Sequence, residues 1–186
     1  MKKILPIIVA ISLIGALAGC GNKQEGGGDV KFESAEEMLS EIYDEYAEGD
    51  KFPIAGGDSS NVNMDEPGEF DTDNIEELDV MLGVPADAAD MIDDAASMVH
   101  MMNANTFTCG AFHLENEDDK DAFIESVKEN ILARQWICGM PDTLIIATAD
   151  DGYVVAAFGE AQIMDTFKEN ITKLGIIISE ETPVLE

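Results

Sequence analysis

Positive charge is what this chain has least of. Ten Lys and Arg face 39 Asp and Glu in 186 residues, a formal charge of −29. Nucleic acid is thereby excluded as a partner, because phosphate binding runs on Lys and Arg that neutralise the backbone and release counterions. An anionic membrane surface is excluded as something the domain itself would grip. Histidine is almost as scarce, with His100 and His113 alone. No GxSxG, HExxH, P-loop or GxGxxG in a strand-to-helix turn occurs, so each common catalytic constellation lacks a part. The single tryptophan, Trp136, offers little for a carbohydrate platform. There are three cysteines and no CxxC. The apolar run from Ile4 to Ala18 is shorter than the roughly 20 residues that a bilayer-spanning helix needs.

That short run is informative for another reason. Lys2 and Lys3 precede it, and it stops at a small residue pair before "CGNKQEGGGDV", the n-region and h-region layout of a secretory signal. Leu17, Ala18 and Gly19 directly before Cys20 resemble the lipobox of bacterial lipoproteins. The resemblance implies cleavage between Gly19 and Cys20, diacylation of the Cys20 sulfur and attachment to a membrane through the acyl chains. Each buried methylene adds about 0.8 kcal/mol, and two or three chains hold where one does not. The expected organisation is a signal peptide over 1–19, a lipidated, glycine-rich flexible tether over 20–33, and a single domain over 34–186. The site is then the extracytoplasmic face of a bacterial cell membrane. Removing residues 1–19 takes away two lysines and no acid, so the acidic excess grows.

Within the domain, apolar residues recur with regular periods. "SAEEMLSEIYDEYAEG" pairs Ser34 with Glu37 as a capping box and sets Met38, Leu39, Ile42, Tyr43 and Tyr46 on one helical face, closed by Gly49. Residues 50–71 read as a long acidic surface loop with room for a short strand near Phe52. "DNIEELDVMLG" predicts a short helix capped by Asp73, with Ile75, Leu78 and Leu82 inward, and "VPADAADMIDDA" a second with Pro85 in its first turn. Strands follow at 97–102 and 106–114 around "NAN". A helix capped by Asn116 comes next, with Phe123, Val127 and Ile131 on its stripe. "TLIIATA" and "YVVAAFG" are strands joined through Asp151 and Gly152, and a last helix puts Met164, Phe167, Ile171 and Leu174 inward before Gly175. The order strand, strand, helix, strand, strand, helix predicts an α+β domain: an antiparallel sheet of about four strands, helices packed on one face, N-terminal helices ahead of it.

The lipobox, the "LDVMLGV" helix, the two-strand unit after it, the long helix from Glu117 and the "DTLIIATADDGYVVAAFG" hairpin before a final helix resemble an uncharacterised lipoprotein family of anaerobic Gram-positive bacteria, domain of unknown function 4358. The similarity covers about residues 75–174. It implies an envelope lipoprotein of unassigned activity, with no functional residues to carry over.

Candidate chemistry is thin. Outside the cytoplasm a disulfide between Cys109 and Cys138 is permitted, and two buried small hydrophobes are the other reading. Met98, His100, Met101, Met102, Cys109, His113, Cys138 and Met140 are ligands for soft metals such as copper. The hairpin register places His100 near Thr108 and His113 near Ala95, which separates the imidazoles, and alternation sends Met101 and Met102 to opposite faces, so packing is the better account. Calcium suits the oxygen-rich stretches at 65–73 and at Asp150 and Asp151, yet "DTDNIEELD" has Glu76 where a calcium loop needs glycine. Carboxylates are too numerous to single out an acid/base pair. The expectation is a binding or accessory module of the cell envelope with an acidic surface for a protein partner; an envelope hydrolase using carboxylates and a calcium-binding surface domain are the alternatives. No catalytic residue, cofactor or metal ligand is assigned.

Overall fold

A computed structural model describes residues 31–137 and 139–184. Cys20, the signal peptide and most of the expected tether lie outside the described residues, as does Cys138.

The fold is α+β, built on one open antiparallel sheet of eight strands. In chain order the elements are α1 (Ala35–Asp44), β1 (Ile54–Gly56), β2 (Asn63–Met64), β3 (Gly68–Glu69), α2 (Ile75–Glu77), a π-helical turn (Leu78–Leu82), α3 (Ala86–Ala89), β4 (Ile92–His100), β5 (Phe107–Leu114), α4 (Lys120–Leu132), β6 (Thr143–Thr148), β7 (Tyr153–Gly159), α5 (Ala161–Lys173) and β8 (Ile177–Pro183). The strands lie in the order β2-β1-β4-β5-β7-β6-β8, with β3 also paired to β4. The expected four strands are the long central ones, β4 to β7.

Helices cover both faces, not one. Side-chain alternation along the central strands explains why. On β7, Tyr153, Val155 and Ala157 point into a core shared with Met38, Leu39 and Ile42 of α1 and Phe167 and Ile171 of α5. Val154, Ala156 and Phe158 point the other way, against Phe123, Val127 and Ile131 of α4 and Leu78 and Leu82 of the π turn. Such strands are apolar on both faces, and a layer on one side only would leave the second set in water.

Local signals act as expected in several places. Ser34 caps α1 by accepting from the Glu37 N–H at 3.1 Å, while the Glu37 carboxylate accepts from the Glu33 N–H at 2.6 Å. Asp151 and Gly152 both have positive φ, 58° and 85°, which is the I′ geometry a two-residue hairpin wants. Gly83 ends the π turn at φ 82°.

Five expectations are corrected. Helix α1 stops at Asp44 with Glu45 as its C-cap, five residues before Gly49, the expected stop. The helix expected over "VPADAADMIDDA" is only α3, because from Ile92 the chain pairs with β5. The acidic loop 50–71 contains β1, β2 and β3, which extend the sheet past β4. A residue of the expected tether, Phe32, is buried in edge-to-face contact with Tyr153 at 6.0 Å. The cap of the short helix is Asn74, not Asp73: its side chain accepts from the Glu77 N–H. Ile75 is correspondingly exposed.

The last strand, β8, has no counterpart in the expected order. Its neighbours Glu180 and Glu181 point to opposite faces, where Lys128 of α4 and Lys168 of α5 meet them at 2.7 and 2.5 Å. Each helical layer thus holds the edge strand from its own side.

Candidate functional site

The sheet has two poles. At one, α1 begins: the Ala35 N–H donates to the Asp94 carboxylate at 2.7 Å, Phe32 packs on Tyr153, and Lys31 Nζ pairs with Asp151 in the β6-β7 turn at 2.8 Å. His113 lies here too, with Nδ1 2.5 Å from Asp93, the extra residue where the β4-β5 register shifts. Burial, then Asp94, Asp93, Glu37 and Asp151, raise the Tyr153 hydroxyl above the usual tyrosine range. This pole has an Asp–His pair and no Ser, Thr or Cys bonded to it as a nucleophile among the described residues.

At the other pole, β4 runs out into the 101–106 turn. Here the layer containing α4 and the π turn stops short of β1, leaving part of the sheet face uncovered. A groove of about 420 Å³ results. Its floor is Ala55 and Val99, partners in the β1-β4 register, and its walls include Val62, Met81, Met101 and Met102. Met102 is 81% exposed and Val62 55%. Asp58 and Glu77 supply the acids of the lining, and it contains no Lys or Arg.

Those two carboxylates are already committed. Asp58 is buried and accepts from the N–H groups of Ser60, Asn61 and Asp71 at 2.7, 3.0 and 3.1 Å, fixing the loop after Gly57. Glu77 accepts from the Ser59 N–H and hydroxyl at 2.7 and 2.9 Å and from the Asn74 amide at 2.7 Å. Carboxylates with this many donors hold the loop and with it the shape of the groove. Gly57 is required at φ 85°, since a Cβ there would sit 2.0 Å from the Asn61 carbonyl oxygen. The run "GGDSSN" carried the signal for this turn; what it could not show is that the turn abuts β4.

Beneath the groove the other face of the sheet is aromatic. His100 stacks on Phe52 with centroids 5.3 Å apart, and Phe52 meets Tyr46 and Phe107 edge to face. The Met102 N–H donates to His100 Nδ1 at 3.2 Å, which places the proton of the neutral ring on Nε2. A metal at Nε2 would need that proton on Nδ1 instead, so His100 is not set up as a ligand even though Met81, Met101 and Met102 are close by.

The remaining candidates disperse. Met98 and Cys109 are register partners, both buried on the α1 and α5 side, and His100 and His113 stand at opposite poles, as the hairpin register implied. Cys109 is a free thiol, raised above its ordinary pKa by complete burial. Trp136 and Met140, which flank Cys138 in sequence, pack against the opposite layer. Asp151 is paired with Lys31, and Asp71 receives the Asp73 N–H at 3.0 Å. No group of three or more His, Cys, Asp or Glu converges as a metal site among the described residues. Nor, among them, is any helix long and apolar enough to cross a membrane.

Compared with protein-family models, with curated proteins and with solved structures, the chain finds no match in any of the three.

Proposed function

We propose that this protein is a membrane-anchored, extracytoplasmic lipoprotein acting as a binding or accessory module of the cell envelope, in keeping with the lipoprotein family its sequence resembles. Cys20 carries the acyl chains, and the domain presents the groove at the 101–106 turn to a protein partner.

The observation that supports this reading most is the polarity of the fold. The chain enters the domain at Lys31 and Phe32, at the pole of Asp94, Tyr153 and Asp151. The floor of the groove at Val99 lies five residues along β4 from Asp94, about 17 Å at about 3.3 Å per residue. Between Cys20 and Lys31 there is chain enough to reach at most about 40 Å at 3.3–3.6 Å per residue. An anchor at one pole and an apolar recess at the other is the arrangement of a module that hands its binding surface outward.

The hydrolase alternative asks for a deep cleft with two carboxylates free to exchange protons, and the acids of this groove are held by N–H and O–H donors instead. Two measurements test the proposal. Metabolic labelling with a palmitate analogue is expected to mark the wild-type chain and not Cys20→Ala. A photo-crosslinker at position 102 is expected to capture a reproducible envelope protein whose yield falls with salt, while the same crosslinker at position 151 captures little. Equal capture from both positions, or label retained in Cys20→Ala, would remove the respective half of the reading.

A further inference from the structure

Five of the eight exposed large apolar side chains among the described residues line two hollows, while Met64, Ile75 and Ile177 lie outside them. Val62, Met101 and Met102 line the groove, and Val80 and Ile137 line a second hollow of about 330 Å³ that adjoins it through the consecutive pairs Val80–Met81 and Ala104–Asn105. Solvent-facing apolar residues gathered at one place mark a contact surface rather than a random scatter.

The two hollows differ in charge. The second contains Arg134, which donates to the Asp79 carbonyl, lies 5.8 and 5.6 Å from the Trp136 and Phe158 rings, and is thereby already engaged. The groove has no cation, and its acids, Glu77 and the buried Asp58, are bonded to their own loop, so the charge a partner meets is the domain's overall acidic excess. A second copy of the chain is a poor occupant, because two molecules of charge −29 repel. Nucleic acids and anionic lipids are repelled for the same reason. What fits is a segment with apolar side chains for Val99, Met81 and Met102 and positive charge to match the acidic domain around them. Methionine suits such a wall, since its unbranched, polarisable side chain adapts to differing apolar partners.

We infer that the groove between the π turn and the 101–106 turn docks a segment of a partner protein in which one or two apolar side chains are flanked by Lys or Arg. This rests on the binding-module reading and names the chemistry of its partner. The apolar residues seat in the recess, and the flanking cations make the encounter fast and dependent on salt.

Methionine methyl NMR on the full-length chain, in nanodiscs of zwitterionic lipid, tests it directly. The probe is the peptide Lys-Leu-Lys-Leu-Lys-Gly, with Lys-Gly-Lys-Gly-Lys-Gly and Glu-Leu-Glu-Leu-Glu-Gly as controls. The expected result is that the Met81, Met101 and Met102 methyls shift with the first peptide alone. Its affinity should fall several-fold between low and physiological salt, and at least fivefold in Met102→Lys, whose fold is checked by the unchanged buried Met38, Met98 and Met164 signals. Three results would overturn the inference: an equal response to the leucine-free peptide, shifts centred on Met64, Met91 or Met140, or no response up to millimolar peptide. Crosslinking from position 102 that persists undiminished in high salt would leave the accessory-module reading standing and remove this occupant.

Discussion

Lys31 Nζ lies 2.8 Å from the Asp151 carboxylate, joining the start of the described chain to a turn 120 residues later. The pair is solvent-exposed and of little energetic weight. Its meaning is positional: it marks the pole where the chain enters, and every groove residue lies elsewhere. The stronger tie at that pole is the Asp94 carboxylate, which takes the otherwise unpaired Ala35 N–H in the first turn of α1.

Asp94→Ala is accordingly expected to lower stability by about 1–2 kcal/mol, through the lost charge-assisted hydrogen bond at the helix start. Lys31→Ala should change it by less than about 0.5 kcal/mol. Urea unfolding of the two variants side by side checks the ranking, and a larger loss for Lys31→Ala would contradict it.

At the groove, Asp58→Ala removes the acceptor for three backbone N–H groups and should cost about 2–3 kcal/mol. Asp58→Asn keeps one carbonyl oxygen and should recover part of that. Hydrogen exchange at the Ser60, Asn61 and Asp71 amides is expected to quicken in both variants, most in the alanine. Unchanged exchange would mean the carboxylate does not hold this loop.

Gly83→Ala combines two penalties. The residue sits at φ 82°, and a Cβ would lie 2.4 Å from Ile131 Cγ1, in the packing between the π turn and α4. A loss of about 2–3 kcal/mol is expected, about 1 from the left-handed backbone and the rest from overpacking. Pairing it with Ile131→Ala, which removes the γ carbon that the new methyl meets, should recover the steric part as a favourable coupling, and thermal melts of the single and double variants measure it.

Cys109 should resist alkylation in the native protein and react once the chain is unfolded. Burial raises its thiol pKa, so the folded state keeps a proton that the unfolded chain begins to release near pH 8.5. The sign follows: folded protein binds more protons above that pH, and stability falls as pH rises, by at most about 1.4 kcal/mol per pH unit for one group. Tyr46 and Tyr153, also raised by burial, add to the fall above about pH 10. Stability measured between pH 7.5 and 9.5 should decline less in Cys109→Ala than in wild type, and parallel curves would count against this account.

Much of the secondary structure is legible in the sequence. Capping chemistry at Ser34, the Asp151-Gly152 turn and the stripes Phe123, Val127, Ile131 and Met164, Phe167, Ile171 are local, and local physics decides them. The His100 and His113 separation followed from strand register alone. Strand β8 was not legible, because "IIISEETP" has weak alternation and becomes a strand through β6 and through the lysines of two helices far away in sequence. In the acidic loop a short strand near Phe52 was legible and β1 lies beside it, but β2 and β3 were not, for a similar reason. All three are two or three residues long and depend on a free edge of β4, with Gly56 and Gly68 close enough that a Cβ on Gly56 would come 2.1 Å from the Gly68 nitrogen.

By itself the sequence determined the acidic excess, the lipobox-like residues before Cys20 and the central strand-strand-helix order, since each is a property of composition or of a few adjacent residues. Only the tertiary structure decided that helices cover both faces, that Cys109 is a sealed thiol, and that Asp58 and Glu77 are spent on their own loop. It also decided that Val62, Met81 and Met102, with no mutual pattern along the chain, face one recess. Those outcomes depend on contacts between segments tens of residues apart, and no local periodicity encodes which segments will meet.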